Sequence, residues 1–370
     1  SIDFYNQQRI LFKEGSIVEI DRDPSKISWT RGLEGYLKKN IIIEMKNHGR
    51  MLTSVYRPFV KTWCYYSRML NEIPSLWSKI FTDDYVNNRV ICVDGTGCKK
   101  DFSCLMSNTI FANLPATGTQ CFPLYVYNTE EKPTKQPIQK SMFGGQENDK
   151  DSTNQCNRTS GITDWILDRT RDQYGRSDIT KEDIFYYVYG ILHCPSYREK
   201  YQNDFKKALP RIPFVERYED FVAFMKAGRE LGDLHCNYES CPMNTTAKVY
   251  FDQVPLAFGE GDLGGEAYII DKLRPVGKGN FTELKYNAHI TIKNIPPEAH
   301  EYIVNGRSPL GWIIDQYQVS IDKDSGIKND PNDWCREHGN PRYILELILR
   351  VIEVSVRTMA IVKGLPKVEV

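Results

Sequence analysis

The stretch that decides the fold is residues 179–201, ITKEDIFYYVYGILHCPSYREKY. Thr180 is a good helix N-cap, Asp183 stands at the N3 position, and the first turn is acidic, which suits the positive end of a helix dipole. Apolar and aromatic residues then recur at helical spacing through Leu192. Pro195 interrupts this pattern, which resumes over residues 197–209 until Pro210 ends it. The stretch predicts two consecutive helices separated by a break.

The rest of the chain mixes helical periodicity with short β-type runs. Helices are predicted through Leu33 and Leu37 and over residues 5–12, 162–174, 218–234, 310–317 and 341–362. Strands are predicted over residues 90–93, 102–114, 120–127, 249–251, 267–270, 281–285 and 289–292. We therefore expect an α+β fold, with an antiparallel β-rich core, flanking helices and a helical insertion over residues 162–235.

The last predicted helix carries signals at both ends. Pro341 is expected at its N1 position and Gly364 at its C-cap. Apolar residues lie nearly all round this helix. It is therefore expected to pack between layers of the fold or against a domain that this chain does not contain.

The composition is that of a globular, cytoplasmic protein. The 48 Lys and Arg residues balance the 48 Asp and Glu residues, which argues against a nonspecific binder of polyanions but allows a basic face. No apolar run is long enough to span a bilayer, so no membrane partner is expected, and the N-terminus lacks the pattern of a signal peptide. The chain begins without Met, as an excised part of a longer protein would.

The cysteines and histidines suggest a metal site only weakly. The ten cysteines include no C-x-x-C pair, and free thiols are expected. His235, Cys236 and Cys241 could begin a zinc site, with His193 or Cys194 as a further ligand. The alternative is that these side chains are packed in the core, and we favour it. No catalytic residue and no metal ligand is assigned.

Nucleotide-binding and catalytic motifs are missing or unconvincing. Gly259, Gly261 and Gly264 match G-x-G-x-x-G, but Glu260 and Asp262 place negative charge where pyrophosphate would bind, so a simple turn is predicted. The sequence contains no G-x-x-x-x-G-K-[ST] and neither Asn-Pro-Pro-Tyr nor Asp-Pro-Pro-Tyr, and it shows no compact nuclease-type acidic cluster. No cofactor is expected in this chain.

Four sequence blocks occur in order over residues 50–335. They are YRPF at 56–59 with YY at 65–66; CFPLY at 121–125; the aromatic helical run over 179–238; and SPLGW at 308–312 with DQY at 315–317, SGI at 325–327 and NDPN at 329–332. Together these blocks resemble the C-terminal specificity region of the single-polypeptide Type I (Type ISP) restriction–modification enzymes.

This resemblance implies a module that recognises target sequences in double-stranded DNA for a bacterial defence enzyme. Upstream nuclease, helicase-like and N6-adenine methyltransferase domains of the same polypeptide would be its partners in cis. The parent enzyme would use S-adenosylmethionine, ATP and Mg²⁺. Residues 1–90 would connect to the methyltransferase, 91–335 would form the recognition domain, and 341–364 a packing helix. Within the recognition domain we expect a mobile loop over 129–160, a helical part over 162–235 and a β part over 248–307.

Reading a duplex requires cations on phosphates and polar side chains on base edges. The first candidates lie in turns between the late strands, where a scaffold can project side chains into a groove: Lys272, Arg274, Lys278, Lys285, Asn287, Lys293 and Arg307. The loop over 325–332 and its neighbours add Lys323, Lys328 and Asn329, although this loop could equally be a structural turn.

Arg57 and Lys61 complete the candidates. Their segment resembles the stretch that follows the methyltransferase core in related enzymes, where it would lie close to DNA. The alternative for Arg57 is a salt bridge beneath Pro58 and Phe59.

Two other functions stay open. The chain could be a coupling domain that holds the motor to the methyltransferase, or an unrelated enzyme that uses His193 or His235.

The tyrosines of residues 184–201 could stack on bases, but they fall on different helix faces, so packing in the core is favoured.

Overall fold

The computed structural model describes residues 1–45, 49–71, 76–81, 87–98, 100–111, 118–127, 158–255, 265–277 and 281–368. Within these ranges eleven α-helices and fifteen short strands make up a mixed structure, so the predicted α+β class is confirmed. No described helix combines the length and apolarity that crossing a bilayer requires.

Most helices lie in the middle and at the end of the chain. They are α1 (Ile2–Lys13), α2 (Arg31–Lys38), α3 (Trp77–Ile80), α4 (Asp164–Tyr174), α5 (Lys181–His193), α6 (Pro195–Tyr201), α7 (Tyr218–Cys236), α8 (Glu298–Glu301), α9 (Pro309–Gln316), α10 (Asn332–Glu337) and α11 (Tyr343–Lys363). Two 3₁₀ turns, Tyr238–Ser240 and Gly265–Tyr268, supplement them.

The described strands form five small sheets. The strands are β1 (Arg50–Arg57), β2 (Val60–Tyr66), β3 (Val90–Val93), β4 (Cys104–Ser107), β5 (Ile110–Phe111), β6 (Gln120–Pro123), β7 (Tyr125–Tyr127), β8 (Arg158–Ser160), β9 (Lys248–Phe251), β10 (Val254–Pro255), β11 (Arg274–Pro275), β12 (Leu284–Lys285), β13 (Ile290–Lys293), β14 (Ser320–Ile321) and β15 (Lys328–Asn329). The sheet orders are β2-β1-β5, β4-β3-β6, β7-β8, β10-β9-β13-β12-β11 and β14-β15. All described pairings are antiparallel except β1 with β5.

The helix pair predicted from residues 179–201 is present, with one boundary changed. Thr180 and Asp183 form a complete capping box at the start of α5. Pro195 begins α6 at its N1 position, because its missing N–H costs nothing there. The extension of this helix to residue 209 was wrong, since α6 ends at Tyr201. Asn203 and Asp204 follow in a series of turns, and such residues compete with helical backbone hydrogen bonds.

Two large apolar cores share the β4-β3-β6 sheet. Val90 and Cys92 of β3 belong to the first core, while Ile91 and Val93 belong to the second. This division follows from the alternation of side chains along a strand. The second core also contains the inner faces of α5 and α7. A smaller third core joins α1 and α2.

The last helix lies inside the first core. Ten residues of α11 are buried, and they contact α7, α8 and α9. Of the two expectations for this apolar helix, packing between layers of the chain is the one observed. Its predicted start was wrong: Arg342 is the N-cap and Pro341 precedes it. Gly364 is the C-cap, with φ −86° rather than a left-handed conformation.

Two further local predictions were wrong. The strand expected over 267–270 is replaced in part by the 3₁₀ turn Gly265–Tyr268, where the Tyr268 carbonyl accepts a hydrogen bond from the Tyr286 hydroxyl. The last three residues of the expected loop over 129–160 form β8, which pairs with β7. The remainder of that loop, from residue 129 to 157, lies outside the described residues.

The domain boundaries proposed from the sequence stay predictions. Strand β1 lies before the proposed boundary at residue 90 and pairs with β5, which lies after it. The glycine motif at 259–264 falls outside the described residues.

Candidate functional site

An open groove of about 450 Å³ lies on the five-stranded sheet β10-β9-β13-β12-β11 and is called the basic groove below. Its lining residues are Glu266, Ala267, Ile269, Asp271, Lys272, Arg274, Lys285, Asn287, Ala288 and His289. Four of these were predicted from the sequence as DNA-binding candidates: Lys272, Arg274, Lys285 and Asn287. The structure therefore brings residues from two chain segments, 272–274 and 285–287, to one surface.

Alternation along the strands explains why the cations point outward. Leu284 on β12 is buried in the first core, and the next residue, Lys285, is exposed. Leu273 is likewise buried between exposed Lys272 and Arg274. Burial of the leucines fixes the face on which the basic side chains lie.

Two of the cations face each other across the sheet. Arg274 on β11 is the direct register partner of Lys285 on β12. Like charges opposite one another on antiparallel strands destabilise the pairing. Within the described part of the chain, neither side chain nor that of Lys272 takes part in an ion pair. An external anion would relieve this repulsion, so the groove suits a phosphate-bearing ligand.

Asn287 holds the loop that forms one wall of the groove. Its amide nitrogen donates to the carbonyls of Ala267 (2.8 Å) and Ile269 (3.1 Å). Its amide oxygen accepts from the backbone N–H groups of His289 (2.9 Å) and Ile290 (2.7 Å). Because these four hydrogen bonds occupy the side-chain amide, the observed role of Asn287 is to brace the loop.

His289 lines the groove and was not among the sequence-predicted site residues. Its ring stacks on Phe251 with centroids 5.6 Å apart, and Nδ1 lies 2.9 Å from a carboxylate oxygen of Asp252. The sequence signal was present, because His289 immediately precedes the apolar alternation of β13 and so falls at a strand end. Glu266 and Asp271 were also missed. They lie on loops whose approach to the groove only the tertiary fold determines.

A second groove, of about 720 Å³, lies between β2 and residues 315–337 and is called the carboxylate groove below. It contains the sequence candidates Lys61 and Asn329, but four of its lining residues are acidic: Asp315, Asp330, Asp333 and Glu337. This groove is larger than the basic groove. Its carboxylates nevertheless make it a poor receptor for a phosphate backbone.

The Lys61 side chain forms an ion pair within the protein. Its ammonium lies 2.5 Å from a carboxylate oxygen of Glu239 and 5.1 Å from the centroid of the Tyr238 ring. The second oxygen of Glu239 accepts a hydrogen bond from the Tyr343 hydroxyl at 2.6 Å. This ion pair ties β2 to the first core.

Arg57 lies over the ring of its neighbour Tyr56, with the guanidinium carbon 4.2 Å from the ring centroid, and donates to the Tyr56 carbonyl. The alternative of a salt bridge beneath Pro58 and Phe59 has no counterpart among the described residues. Arg57 is thus held on the surface by an aromatic contact.

The remaining candidates are dispersed. Arg307 pairs with Asp315 at 2.5 Å, and Lys328 pairs with Asp330 at 3.1 Å. Burial would raise the pKa of Asp330, but hydrogen bonds with Asn332 and Lys328 together lower it, so this carboxylate stays charged beside its cations. Lys293 donates to Gln253 at 3.0 Å.

Two other candidates lie on or near the β14–β15 hairpin. Lys323 is exposed in the turn of this hairpin, and Asn329 lies on β15 opposite Ser320. Lys278 lies outside the described residues.

The two buried histidines are hydrogen-bonded core residues. The Tyr189 hydroxyl accepts from the Met106 N–H at 2.9 Å and is hydrogen-bonded to His235 Nδ1 at 2.7 Å. The other ring nitrogen, His235 Nε2, is hydrogen-bonded to the Thr358 hydroxyl at 3.0 Å. Burial lowers the pKa of His235 to about 3.

His193 and the neighbouring tyrosines are packed in the same way. His193 Nδ1 is paired with the Tyr189 carbonyl at 2.9 Å. Tyr186, Tyr187 and Tyr189 are all buried, as the packing interpretation predicted. The described residues contain no group of three or more potential metal ligands.

A family model and two solved structures name the same family. The model described as "Type ISP C-terminal specificity domain" matches residues 1–347. The structure of a nuclease-deletion mutant of the Type ISP restriction–modification enzyme LlaGI, in complex with a DNA substrate mimic, is 32% identical with a TM-score of 0.78. The ATP-dependent Type ISP enzyme LlaBIII bound to DNA is 32% identical with a TM-score of 0.79, and a DrdV–DNA complex is 26% identical with a TM-score of 0.75.

These likenesses cover 100% of the chain but only 30%, 21% and 33% of the LlaGI, LlaBIII and DrdV chains respectively. The chain therefore spans a third or less of the length of the solved structures it resembles. No curated protein matches it.

Proposed function

The chain belongs to the Type ISP C-terminal specificity domain family, and we propose that it recognises the target sequence in double-stranded DNA for a restriction–modification enzyme. The observation that carries this proposal is the basic groove, where three cations, Lys272, Arg274 and Lys285, outnumber the carboxylates of Glu266 and Asp271. Among the described residues these cations form no ion pair, and Arg274 and Lys285 face each other across the sheet. Phosphate contacts from such cations set the register of a protein on a duplex. Nearby loop side chains would then reach the base edges.

The proposal leaves the chemistry to other parts of the parent enzyme. Upstream nuclease, helicase-like and N6-adenine methyltransferase domains would cleave and modify DNA in the cytoplasm, using Mg²⁺, ATP and S-adenosylmethionine. The chain itself would have no catalytic activity and no cofactor. It would direct those activities by the sequence it binds.

A pool of randomised duplexes tests this function directly. The chain is incubated with the pool at several salt concentrations, and bound DNA is recovered and sequenced. Enrichment of a motif of several base pairs, with affinity falling as salt rises, is the expected result. Binding without enrichment would reduce the role to nonspecific contact, and no binding would overturn DNA recognition by this chain. The same selection with the upstream methyltransferase included distinguishes a split recognition site from none.

The carboxylate groove favours a second role, in coupling domains of the same enzyme. Its rim exposes 42% of Tyr56 and 45% of Trp63, and exposed aromatic side chains are typical of protein interfaces. In a preparation of the parent enzyme, Trp63→Ala would then reduce ATP-driven cleavage while leaving the affinity for target DNA unchanged. Equal cleavage by the variant and the parent would argue against coupling through this groove.

A further inference from the structure

Two cysteines lie opposite one another on neighbouring strands. Cys92 on β3 is the register partner of Cys121 on β6, and their sulfur atoms are 3.3 Å apart. Both are free thiols. Two residues from different strands, separated by a β-rich segment of chain, thus place their reactive atoms in contact.

The hydrogen-bond pattern shows which kind of cross-strand position these cysteines occupy. The Leu124 N–H donates to the Arg89 carbonyl at 2.8 Å, which marks residues 89 and 124 as a hydrogen-bonded pair. Because such pairs alternate along antiparallel strands, Cys92 and Cys121 form a non-hydrogen-bonded pair. Side chains approach each other most closely at such positions, with Cα atoms about 4.5 Å apart. That separation falls within the range a disulfide spans.

The two thiols differ in their access to solvent. Cys92 is fully buried on the central strand of its sheet, whereas Cys121 is only partly buried on the edge strand β6. A small oxidant would therefore reach Cys121 first. Burial raises the pKa of the Cys92 thiol well above its usual value, so the reaction would not begin there.

We propose that Cys92 and Cys121 are a redox modification site, at which a peroxide closes a disulfide between β3 and β6. The Cys121 thiol first loses its proton, and the thiolate attacks one peroxide oxygen. The O–O bond breaks, which leaves a sulfenic acid, and the departing hydroxide takes up the proton to form water. The Cys92 sulfur then attacks the sulfenic sulfur and the S–O bond breaks. The departing hydroxide takes the Cys92 thiol proton and leaves as a second water. Two thiols lose two electrons and two protons in total, and the peroxide gains them.

The disulfide would fix the edge strand of the shared sheet. It would close a covalent loop from residue 92 to residue 121, and this loop contains β4 and β5. The bond would lie on the side of the sheet that faces the first core. A bond that closes such a loop stabilises the fold by restricting the unfolded chain. The strand β6 leads directly into β7, so its position also sets where β7 begins.

Peptide mapping of the whole chain tests the site. The folded protein is treated with hydrogen peroxide, its remaining thiols are alkylated, and it is digested without reductant. We expect a peptide pair joined through Cys92 and Cys121, lighter than the reduced pair by two hydrogen atoms and separated again by dithiothreitol. The thermal unfolding midpoint should rise on oxidation and return on reduction. The proposal would be overturned if both residues were recovered as free thiols. It would also be overturned if Cys121 were recovered as a sulfinic acid while Cys92 stayed reduced.

Variants separate this pair from the other thiols. Cys121→Ser should abolish the linked peptide and the rise in midpoint, whereas the control Cys64→Ser should retain both. In Cys92→Ser the sulfenic acid on Cys121 should persist long enough to be trapped by a cyclic 1,3-dione. An equal rise in midpoint for Cys121→Ser would assign the effect to other residues. The wild-type peptide map remains decisive if either serine variant folds poorly.

Discussion

Gly190 of α5 lies directly against the backbone of Phe224 in α7. A Cβ atom placed on Gly190 would be 2.1 Å from the Phe224 carbonyl oxygen. The contact is reciprocal, since a Cβ on Gly228 would be 1.9 Å from the carbonyl oxygen of Tyr186. The two helices therefore touch along their backbones, which explains why each tolerates a residue that weakens a helix by about 1 kcal/mol relative to alanine.

We expect Gly190→Ala and Gly228→Ala to destabilise the fold by about 3 kcal/mol each, because the added methyl group meets rigid backbone rather than a movable side chain. Denaturant unfolding monitored by circular dichroism measures the loss. The matched control is Gly35→Ala in α2, where nothing lies within 4 Å of the added Cβ. The control should be neutral or slightly stabilising. A loss in the control as large as that at Gly190 would show that close approach is not the cause.

The basic groove makes a prediction about salt dependence. Lys272→Ala, Arg274→Ala and Lys285→Ala should each weaken binding to duplex DNA and reduce the slope of log affinity against log salt by about 0.9, one released counterion per lost phosphate contact. Fluorescence anisotropy at a series of salt concentrations measures both quantities. Lys207→Ala is the control, because Lys207 is exposed and distant in sequence. Unchanged slopes in all three groove variants would place the DNA surface elsewhere.

Arg274 and Lys285 also predict a gain in stability. In the absence of DNA, Lys285→Gln should stabilise the protein by about 0.5 kcal/mol, because it removes the repulsion between like charges on paired strands. The same variant should bind DNA more weakly. Thermal unfolding at low ionic strength measures the first effect. A less stable Lys285→Gln protein would mean that the cation has a favourable partner in the fold.

Asn287→Ala should loosen the groove wall rather than change base preference. Loss of the four hydrogen bonds between its side-chain amide and backbone groups is expected to cost about 3 kcal/mol of folding stability. Urea unfolding measures this cost, and duplex selection measures the preferred motif, which should be unchanged. Asn203→Ala, at an exposed turn position, serves as the control. A stable variant with a relaxed motif would instead assign Asn287 to base reading.

His235 predicts how stability depends on pH. Its pKa is lowered by burial from 6.5 to about 3, so the folded protein holds it neutral while the unfolded chain can protonate it. The free energy of unfolding is therefore undiminished above about pH 6.5. It decreases as the pH falls towards 3, by up to about 1.4 kcal/mol per pH unit. Unfolding titrations between pH 7.5 and about 4.5 measure this slope.

His235→Gln should flatten the acid side of that profile, although His193 and the carboxylates keep part of the slope. Identical slopes for His235→Gln and the parent protein would show that the buried imidazole is not the titrating group.

Local signals in the sequence determined much of the helical structure. Thr180 and Asp183 identified a capping box because both partners lie within one turn, and hydrogen bonds of that range depend on neighbours in sequence. Burial of the tyrosines in α5 was likewise predictable, because their positions around the helix cannot all face one ligand. Four ordered sequence blocks indicated the family, which the family model confirms over residues 1–347.

Only the tertiary structure decided which polar residues share a surface. Lys61 and Lys285 are both lysines near aromatic or β-type sequence, yet Lys61 meets Glu239, which is 178 residues away, and Lys285 meets Arg274 across a two-residue ladder. Contacts at such separations depend on how sheets and helices pack, which periodicity does not specify. The sequence thus determined the α+β class and the family of this protein. Packing decided which cations are neutralised inside the fold and which are left to meet an external anion.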